Sequence, residues 1–125
     1  MIKLAMLAVG GILGTLARHF LGGAVYRWTG GTFPYGTVTV NLTGCFILGF
    51  LAAVSARKFL FSPELQLFLM VGFCGAFTTF STFILESNNL LVEGRFLQAF
   101  LNVFASVLFG LLFFRAGIWS GDVLF

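Results

Sequence analysis

The sequence predicts an all-α membrane protein with four transmembrane helices in each subunit. Of its 125 residues, 59% are hydrophobic and only 9% are charged, and the mean hydropathy is +1.05. A soluble domain of this size needs more charge on its surface. Each of four apolar stretches is long enough, at about 20 residues or more, to cross the roughly 30 Å hydrocarbon core of a bilayer. We expect a single transmembrane domain with spans at 4–26, 37–56, 65–92 and 96–119.

Small residues mark the first two spans. Gly10, Gly11 and Gly14 let another helix approach the first span closely. We expect this stretch to be retained rather than removed as a signal peptide, because no small-residue cleavage site with a soluble domain follows it. A glycine-rich connection closes at Pro34. The second span then places a single amide, Asn41, among small residues.

The third span is the least regular of the four. It begins near Pro63, a residue favoured at helix starts. Its middle, residues 75–83, reads GAFTTFSTF. Glycine and β-branched residues are poor helix formers, so we expect this helix to break near its middle. Because each unsatisfied polar group in a bilayer costs several kcal/mol, a cluster of hydroxyls at this depth indicates a functional site.

Positive charge is nearly balanced between the two sides of the membrane. Four spans put both termini on one side, which holds four Lys or Arg residues against three on the other. Since Lys/Arg asymmetry normally sets orientation, such a chain is able to insert either way. Four helices are also few for enclosing a pore, so we expect an antiparallel, dual-topology homodimer. The two sets are Lys3, Arg57, Lys58 and Arg115, and Arg18, Arg27 and Arg95.

Two phenylalanines and a set of neutral polar residues are candidates for an ion path. Phe80 and Phe83 are one turn apart, so their rings share a helix face, although packing explains most of the 18 phenylalanines. The positive edge of an aromatic ring, beside hydroxyls, can stabilise a small anion. The donors Asn41, Asn102 and Ser106 either bond helices together, at roughly 0.6 kcal/mol each, or line a wetted track.

Two further features of the third span leave alternatives open. Gly72 and Gly75 indicate either a close crossing of two helices or an unwound backbone whose carbonyls hold a hard cation such as sodium. Glu86 is the one acid within the core of a span. It is either a proton carrier or a residue near the helix end that reaches water or Arg18.

Composition excludes several other functions. Both cysteines, Cys45 and Cys74, lie within spans, and the chain has one histidine. A metal-ligand cluster of side chains and a catalytic cysteine are therefore unsupported, and we expect no enzyme. The net charge of +3 fits contact with anionic lipid head groups and is too small to indicate a nucleic-acid partner.

The chain resembles the Fluc/CrcB fluoride channels of microbial membranes from end to end. The fourth span is the loosest match, because many relatives have a tyrosine where Asn102 stands. The motifs that carry the resemblance are GGILG at 10–14 with Arg18, GTVTVNLTG at 36–44, and above all GFCGAFTTFSTF at 72–83 with Glu86.

The resemblance implies a passive, fluoride-selective channel that exports cytoplasmic fluoride across the inner or plasma membrane and protects the cell. Relatives are antiparallel homodimers with two pores along the subunit boundaries. Phe80 and Phe83 would meet fluoride edge-on, close to the amide of Asn41. Backbone carbonyls of Gly75 and Thr78 from both subunits would hold a structural sodium ion on the dimer axis. Further candidates for the lining are Thr79, Ser81, Thr82, Asn102 and Ser106.

Two other classes of protein remain as alternatives. A small multidrug-type proton-coupled exporter also forms dual-topology dimers from four short spans, but it needs a membrane acid, usually in the first span. Residues 4–17 contain no acid, and Glu86 lies late in the third span. The third class is a non-transporting subunit of a larger complex, which would not need so many hydroxyls in one span.

Overall fold

A computed structural model describes residues 1–58 and 60–125, and in this part of the chain the regular elements are helices, with no strand. Four segments are long and apolar enough to cross a membrane. The all-α class with four membrane-capable helices is therefore confirmed. The uninterrupted helices are α1 (Ile2–Thr29), α2 (Tyr35–Lys58) and α6 (Phe96–Leu124).

The third membrane-capable segment, Pro63–Val92, is broken. Between its two halves, Thr78 (φ −84°, ψ 159°) and Thr79 (φ −148°, ψ 118°) are extended. The predicted break is present, and it falls at two β-branched residues, which fit extended backbone well. The pieces are α3 (Pro63–Gln66), a π-helical stretch (Leu67–Cys74), α4 (Gly75–Phe77) and α5 (Phe80–Val92).

A close helix crossing explains Gly72. A Cβ atom at Gly72 would lie 2.9 Å from the carbonyl oxygen of Leu7, and one at Gly10 would collide with the carbonyl oxygen of Phe68. The π-helical stretch thus packs on α1 with backbone against backbone. Gly75 has right-handed helical torsions (φ −63°, ψ −38°). The close crossing therefore accounts for Gly72, and neither glycine unwinds the helix, which ends at Phe77.

The pair α2 and α6 makes the most extensive helix contact in the chain. Here too glycine brings backbones together. A Cβ atom at Gly117 of α6 would overlap the carbonyl oxygen of Phe46, and one at Gly49 of α2 would overlap that of Phe114. Reciprocal glycines of this kind are typical of tightly packed membrane helices. Among the described residues, this pair is the most extensively packed side of the bundle.

Polar contacts tie the ends of the bundle. At one end, Arg57 Nε lies 2.9 Å from Asp122 Oδ1 and links α2 to α6. At the other end, Arg95 Nη1 donates to the Thr32 carbonyl oxygen at 3.2 Å. This bond joins the turn before α6 to the connection between α1 and α2. The remaining long helix, α5, packs mainly on α6 and has few contacts with α2.

Candidate functional site

The side chain of Asn41 holds the backbone at the helix break. Its Nδ2 donates to the Thr79 carbonyl oxygen at 3.0 Å, and its Oδ1 accepts from the Thr79 N–H at 2.8 Å. Because the backbone is extended at this point, the Thr79 N–H cannot bond the preceding helical turn. A buried backbone group without a partner is costly, so this amide on α2 is what makes the break tolerable inside a bilayer.

The hydroxyl of Thr79 then starts the second half of the broken helix. Thr79 is the N-cap of α5: its Oγ1 accepts from the Thr82 N–H at 3.3 Å. The same Oγ1 donates to Thr82 Oγ1 at 3.0 Å. A capping hydroxyl stabilises a helix by about 0.5–2 kcal/mol relative to alanine. The cap therefore fixes two neutral hydroxyls side by side at the break.

The break also frees two backbone carbonyls from their usual helical donors. In a continuous helix, the carbonyl of Gly75 would accept from the N–H of Thr79, and that of Thr78 from the N–H of Thr82. Those N–H groups are donated instead to Asn41 and to the Thr79 hydroxyl. Such freed oxygens are suitable ligands for a hard cation. Among the described residues, no group of three or more His, Cys, Asp or Glu side chains offers a metal site.

Two phenylalanine rings follow the break directly. The ring centroids of Phe80 and Phe83 lie 5.8 Å apart, and the ring planes are inclined by 50°. Phe83 is 7% exposed, whereas Phe80 is 74% exposed. One ring is thus packed inside the chain while its neighbour on the same helix face points outward. The described residues of this chain leave the Phe80 ring largely uncovered.

Two cavities meet at the break. Thr79 lines both of them, and Phe80 lines the smaller one. The break therefore separates a wide polar chamber from a narrower space beside the exposed ring. The larger cavity, about 750 Å³, is lined by residues that include Arg18, His19, Thr37, Thr79, Thr82, Glu86, Asn89 and Arg95. The smaller, about 220 Å³, is lined by Asn41, Gly44, Cys45, Leu48, Thr78, Thr79, Phe80 and Phe114.

Three of the predicted lining residues lie apart from these cavities in the described part of the chain. Ser81 is exposed. Asn102 is only 1% exposed, and its Nδ2 donates to Ser87 Oγ at 2.9 Å. The buried Ser106 Oγ has no hydrogen-bond partner among the described residues. The predicted residues that the fold does bring to a cavity are Asn41, Thr79, Phe80 and Thr82, whereas the buried Phe83 is not among the described residues that line either one.

Two contributors to the site were not foreseen. Thr37 Oγ1 donates to Glu86 Oε1 at 2.8 Å, so the hydrogen-bond partner of this acid is a hydroxyl on α2 rather than Arg18. The two residues are 49 positions apart, and no local pattern predicts their contact. The Ser87 hydroxyl donates to the Phe83 carbonyl oxygen at 2.8 Å. Because Ser87 follows Phe83 by four residues, this bond could have been predicted from the sequence.

Comparison with known proteins gives a consistent result. A family model described as CrcB-like protein, Camphor Resistance (CrcB), matches residues 5–118. The fluoride-specific ion channel FluC of Geobacter sulfurreducens is 45% identical, over 97% of this chain and 94% of the relative. FluC of Hydrogenovibrio crunogenus is 43% identical, over 99% of this chain and 94% of the relative. FluC of Methylococcus capsulatus is 42% identical over 98% of this chain, which spans about half (52%) of that relative's length.

Proposed function

This chain belongs to the CrcB-like family, and from that premise we propose that it is a passive, fluoride-selective channel. It is a multi-pass membrane protein and not an enzyme. Within this chain, the main observation that supports the proposal is the pair of hydrogen bonds between Asn41 and Thr79. This pair places neutral donors and a phenylalanine ring around one break at membrane depth.

Passive export is sufficient for fluoride because of its acid–base chemistry. Fluoride is the conjugate base of a weak acid, so external acid drives neutral HF through the lipid. HF dissociates in the near-neutral cytoplasm, and the ion is trapped there. An inside-negative potential favours anion exit by roughly 2.3 kcal/mol per charge per 100 mV. A selective channel in the cell membrane therefore lowers cytoplasmic fluoride and protects the cell without an energy source.

The proposed path runs past the break and the ring pair. Fluoride enters the larger cavity, whose lining holds Arg18 and Arg95 together with Glu86 and Glu93, the last of which pairs with Arg95. It passes Thr79 and Asn41 and meets the edges of Phe80 and Phe83, which attract an anion without any fixed charge. Neutral donors replace the water shell but do not hold the ion too tightly to leave. Thr82 belongs to this path, Ser81 and Ser106 remain proposed members of its lining, and the third predicted member, Asn102, is buried and bonded to Ser87 instead.

An antiparallel homodimer would complete this path. Phe80 is 74% exposed in one chain, and Gly75 is exposed with open space around its Cα. Both positions suit the approach of a second copy. The near balance of Lys and Arg between the two sides supports insertion in both orientations. This part of the proposal is tested by measuring, in intact cells, whether a tag at one terminus is found on both sides of the membrane.

A structural sodium ion is proposed at the centre of the dimer. The freed carbonyls of Gly75 and Thr78 fit it, because hard cations prefer oxygen ligands and the helix donors of both are engaged elsewhere. Two chains together would offer four such oxygens. The ion would supply a fixed positive charge that links the two breaks, while the side chains of the path act on fluoride.

A proton-coupled cation exporter is the less favoured function. It needs a membrane acid that exchanges protons with a cationic substrate, and α1 contains no acid. Glu86 is the remaining candidate, and one of its oxygens already accepts from Thr37. The FluC relatives give no support to this alternative.

Fluoride efflux from liposomes that contain the purified protein tests the channel. With a potassium ionophore and a fluoride electrode, we expect rapid fluoride release, no chloride release from matched vesicles, and at least a tenfold loss in Phe80→Ile, about 1.4 kcal/mol of lost stabilisation. Phe20→Ile is the matched control, because Phe20 of α1 is similarly exposed (66%) and lies outside both cavities.

Equal loss of fluoride efflux in Phe80→Ile and Phe20→Ile would show that the Phe80 ring has no specific part in conduction. Absence of fluoride release from well-folded protein would overturn the channel itself. Proton-coupled efflux of a cationic dye, abolished by Glu86→Gln, would then support the exporter.

A further inference from the structure

The helix that carries both rings is attached to its neighbours largely by polar contacts. Two apolar side chains of α5, Phe83 and Leu90, are buried. Otherwise the helix is held at three points by hydrogen bonds to residues far along the chain. These are the Asn41–Thr79 pair at its start, the Thr37–Glu86 bond in its middle, and a bond from Asn102 of α6 to Ser87.

The bond from Asn102 continues directly to the backbone of a ring residue. Asn102 Nδ2 donates to Ser87 Oγ at 2.9 Å, and Ser87 Oγ donates to the Phe83 carbonyl oxygen at 2.8 Å. A hydroxyl can accept and donate at once, so the two bonds do not compete. Asn102 is 1% exposed and Ser87 6%, and loss of a buried bond is not replaced by water.

This relay ties the backbone at Phe83 to α6. The amide from α6 therefore restrains rotation of α5 at the level of Phe83. Phe80 lies on the same helix face one turn earlier, so any rotation of α5 about its axis displaces both rings together.

We infer that Ser87 and Asn102 are positioning residues that set the ring pair for anion passage, and that Asn102 acts through Ser87 rather than by touching the ion. The inference rests on the proposed channel function. It agrees with the absence of Asn102 from the walls of both cavities among the described residues. The buried amide of Asn102 therefore has a different role from the residues that are proposed to line the path.

A double-mutant cycle tests the relay by fluoride efflux per folded protein in liposomes. We expect Ser87→Ala and Asn102→Leu each to slow efflux about tenfold, equivalent to about 1.4 kcal/mol, because each change releases the Phe83 backbone from α6. Because both act through one relay, the double variant should be no slower than the single variants. Ser87→Thr, which keeps the hydroxyl, should stay within about twofold of the unsubstituted protein.

Ser120→Ala is the matched control. Ser120 also donates to a carbonyl four residues earlier, that of Ala116 at 2.8 Å, but within the described part of the chain it has no hydrogen bond to another helix. We expect its efflux to be unchanged. If Ser87→Ala does not fold, Asn102→Leu carries the test, since Ser87 then keeps its bond to Phe83.

The outcomes separate the inference from the proposed function. Fluoride efflux by the unsubstituted protein with unchanged efflux in Ser87→Ala would overturn the relay alone. A double variant slowed by the product of the single effects would mean that Asn102 meets the ion independently, which also overturns it. No efflux from the unsubstituted protein would overturn the channel function and the relay with it.

Discussion

Two regions of this molecule are held together by different physical means. The α2–α6 pair is joined by backbone contact at reciprocal glycines, where even one added carbon would collide with a carbonyl oxygen. The ring-bearing helix α5 is attached through hydrogen bonds that end on Asn41, Thr37 and Asn102. The α2–α6 contact requires that no side-chain atoms lie between the two helices at the glycines. The attachment of α5 requires particular hydrogen-bond donors and acceptors.

The difference teaches which region determines folding and which determines function. Where two backbones are in contact, any added volume disrupts the packing, whereas the polarity of the added group matters little. Side-chain hydrogen bonds accept a change of shape provided that the same donor is retained. We therefore expect substitutions in the glycine contact to affect folding first, and substitutions at the hydrogen bonds to affect conduction first.

The largest effect should come from adding a carbon to the glycine contact. In Gly117→Ala, the new Cβ overlaps the Phe46 carbonyl oxygen, so the helices must separate, at a cost of about 3 kcal/mol. We expect a marked fall in the thermal unfolding midpoint and little monodisperse protein by size exclusion. Gly11→Ala is the control, because a Cβ there meets no described atom within 4 Å. Equal stability of the two variants would contradict the close contact.

An intermediate effect on stability, with a larger effect on conduction, is expected for Asn41→Leu. The change removes both bonds to the Thr79 backbone and should destabilise the protein by about 2 kcal/mol. Fluoride efflux should fall more than tenfold while folded protein is still recovered. Asn88→Leu makes the same chemical change at an exposed position of α5. If Asn41→Leu conducts as well as this control, the amide has no part in the path.

The smallest effect is expected at the end of the α2–α6 pair. Asp122→Ala removes the ion pair with Arg57, whose side chain is 57% exposed, against 33% for Asp122. Pairs that solvent reaches contribute less than about 1 kcal/mol, so the unfolding midpoint should move slightly and fluoride efflux should not change. Repeating the melts in high salt should reduce the difference further. A loss of conduction would show that this pair is coupled to α5.

Much of the fold could be predicted from the sequence because hydropathy and length report directly on membrane spans. The break in the third span and its place near the middle were predictable from the glycines and threonines, but the residue at which the helix ends was not. Gly72 and Gly75 were candidates for the unwound backbone, whereas the chain leaves the helix at Thr78. A glycine pattern alone does not distinguish a close crossing from a break, since both use the missing side chain.

The site was predictable only where its residues are neighbours in sequence. The ring pair and the hydroxyls around it lie within one motif, and Asn41 was singled out as the only amide in its span. The contact between Thr37 and Glu86 depends on how two helices align, which local patterns do not encode. The same holds for the bond from Asn102 to Ser87, which places a predicted lining residue behind the helix that carries the rings.

The π-helical stretch Leu67–Cys74 has a consequence for how such chains diversify. A π-helix bonds each residue to the fifth one along, so it holds an extra residue without an extra turn. Deleting one residue there would restore an ordinary helix. A deletion within an ordinary helix would instead turn everything after it by about 100°. Deletion of a single residue in this stretch would therefore leave α5 and the break before it in place.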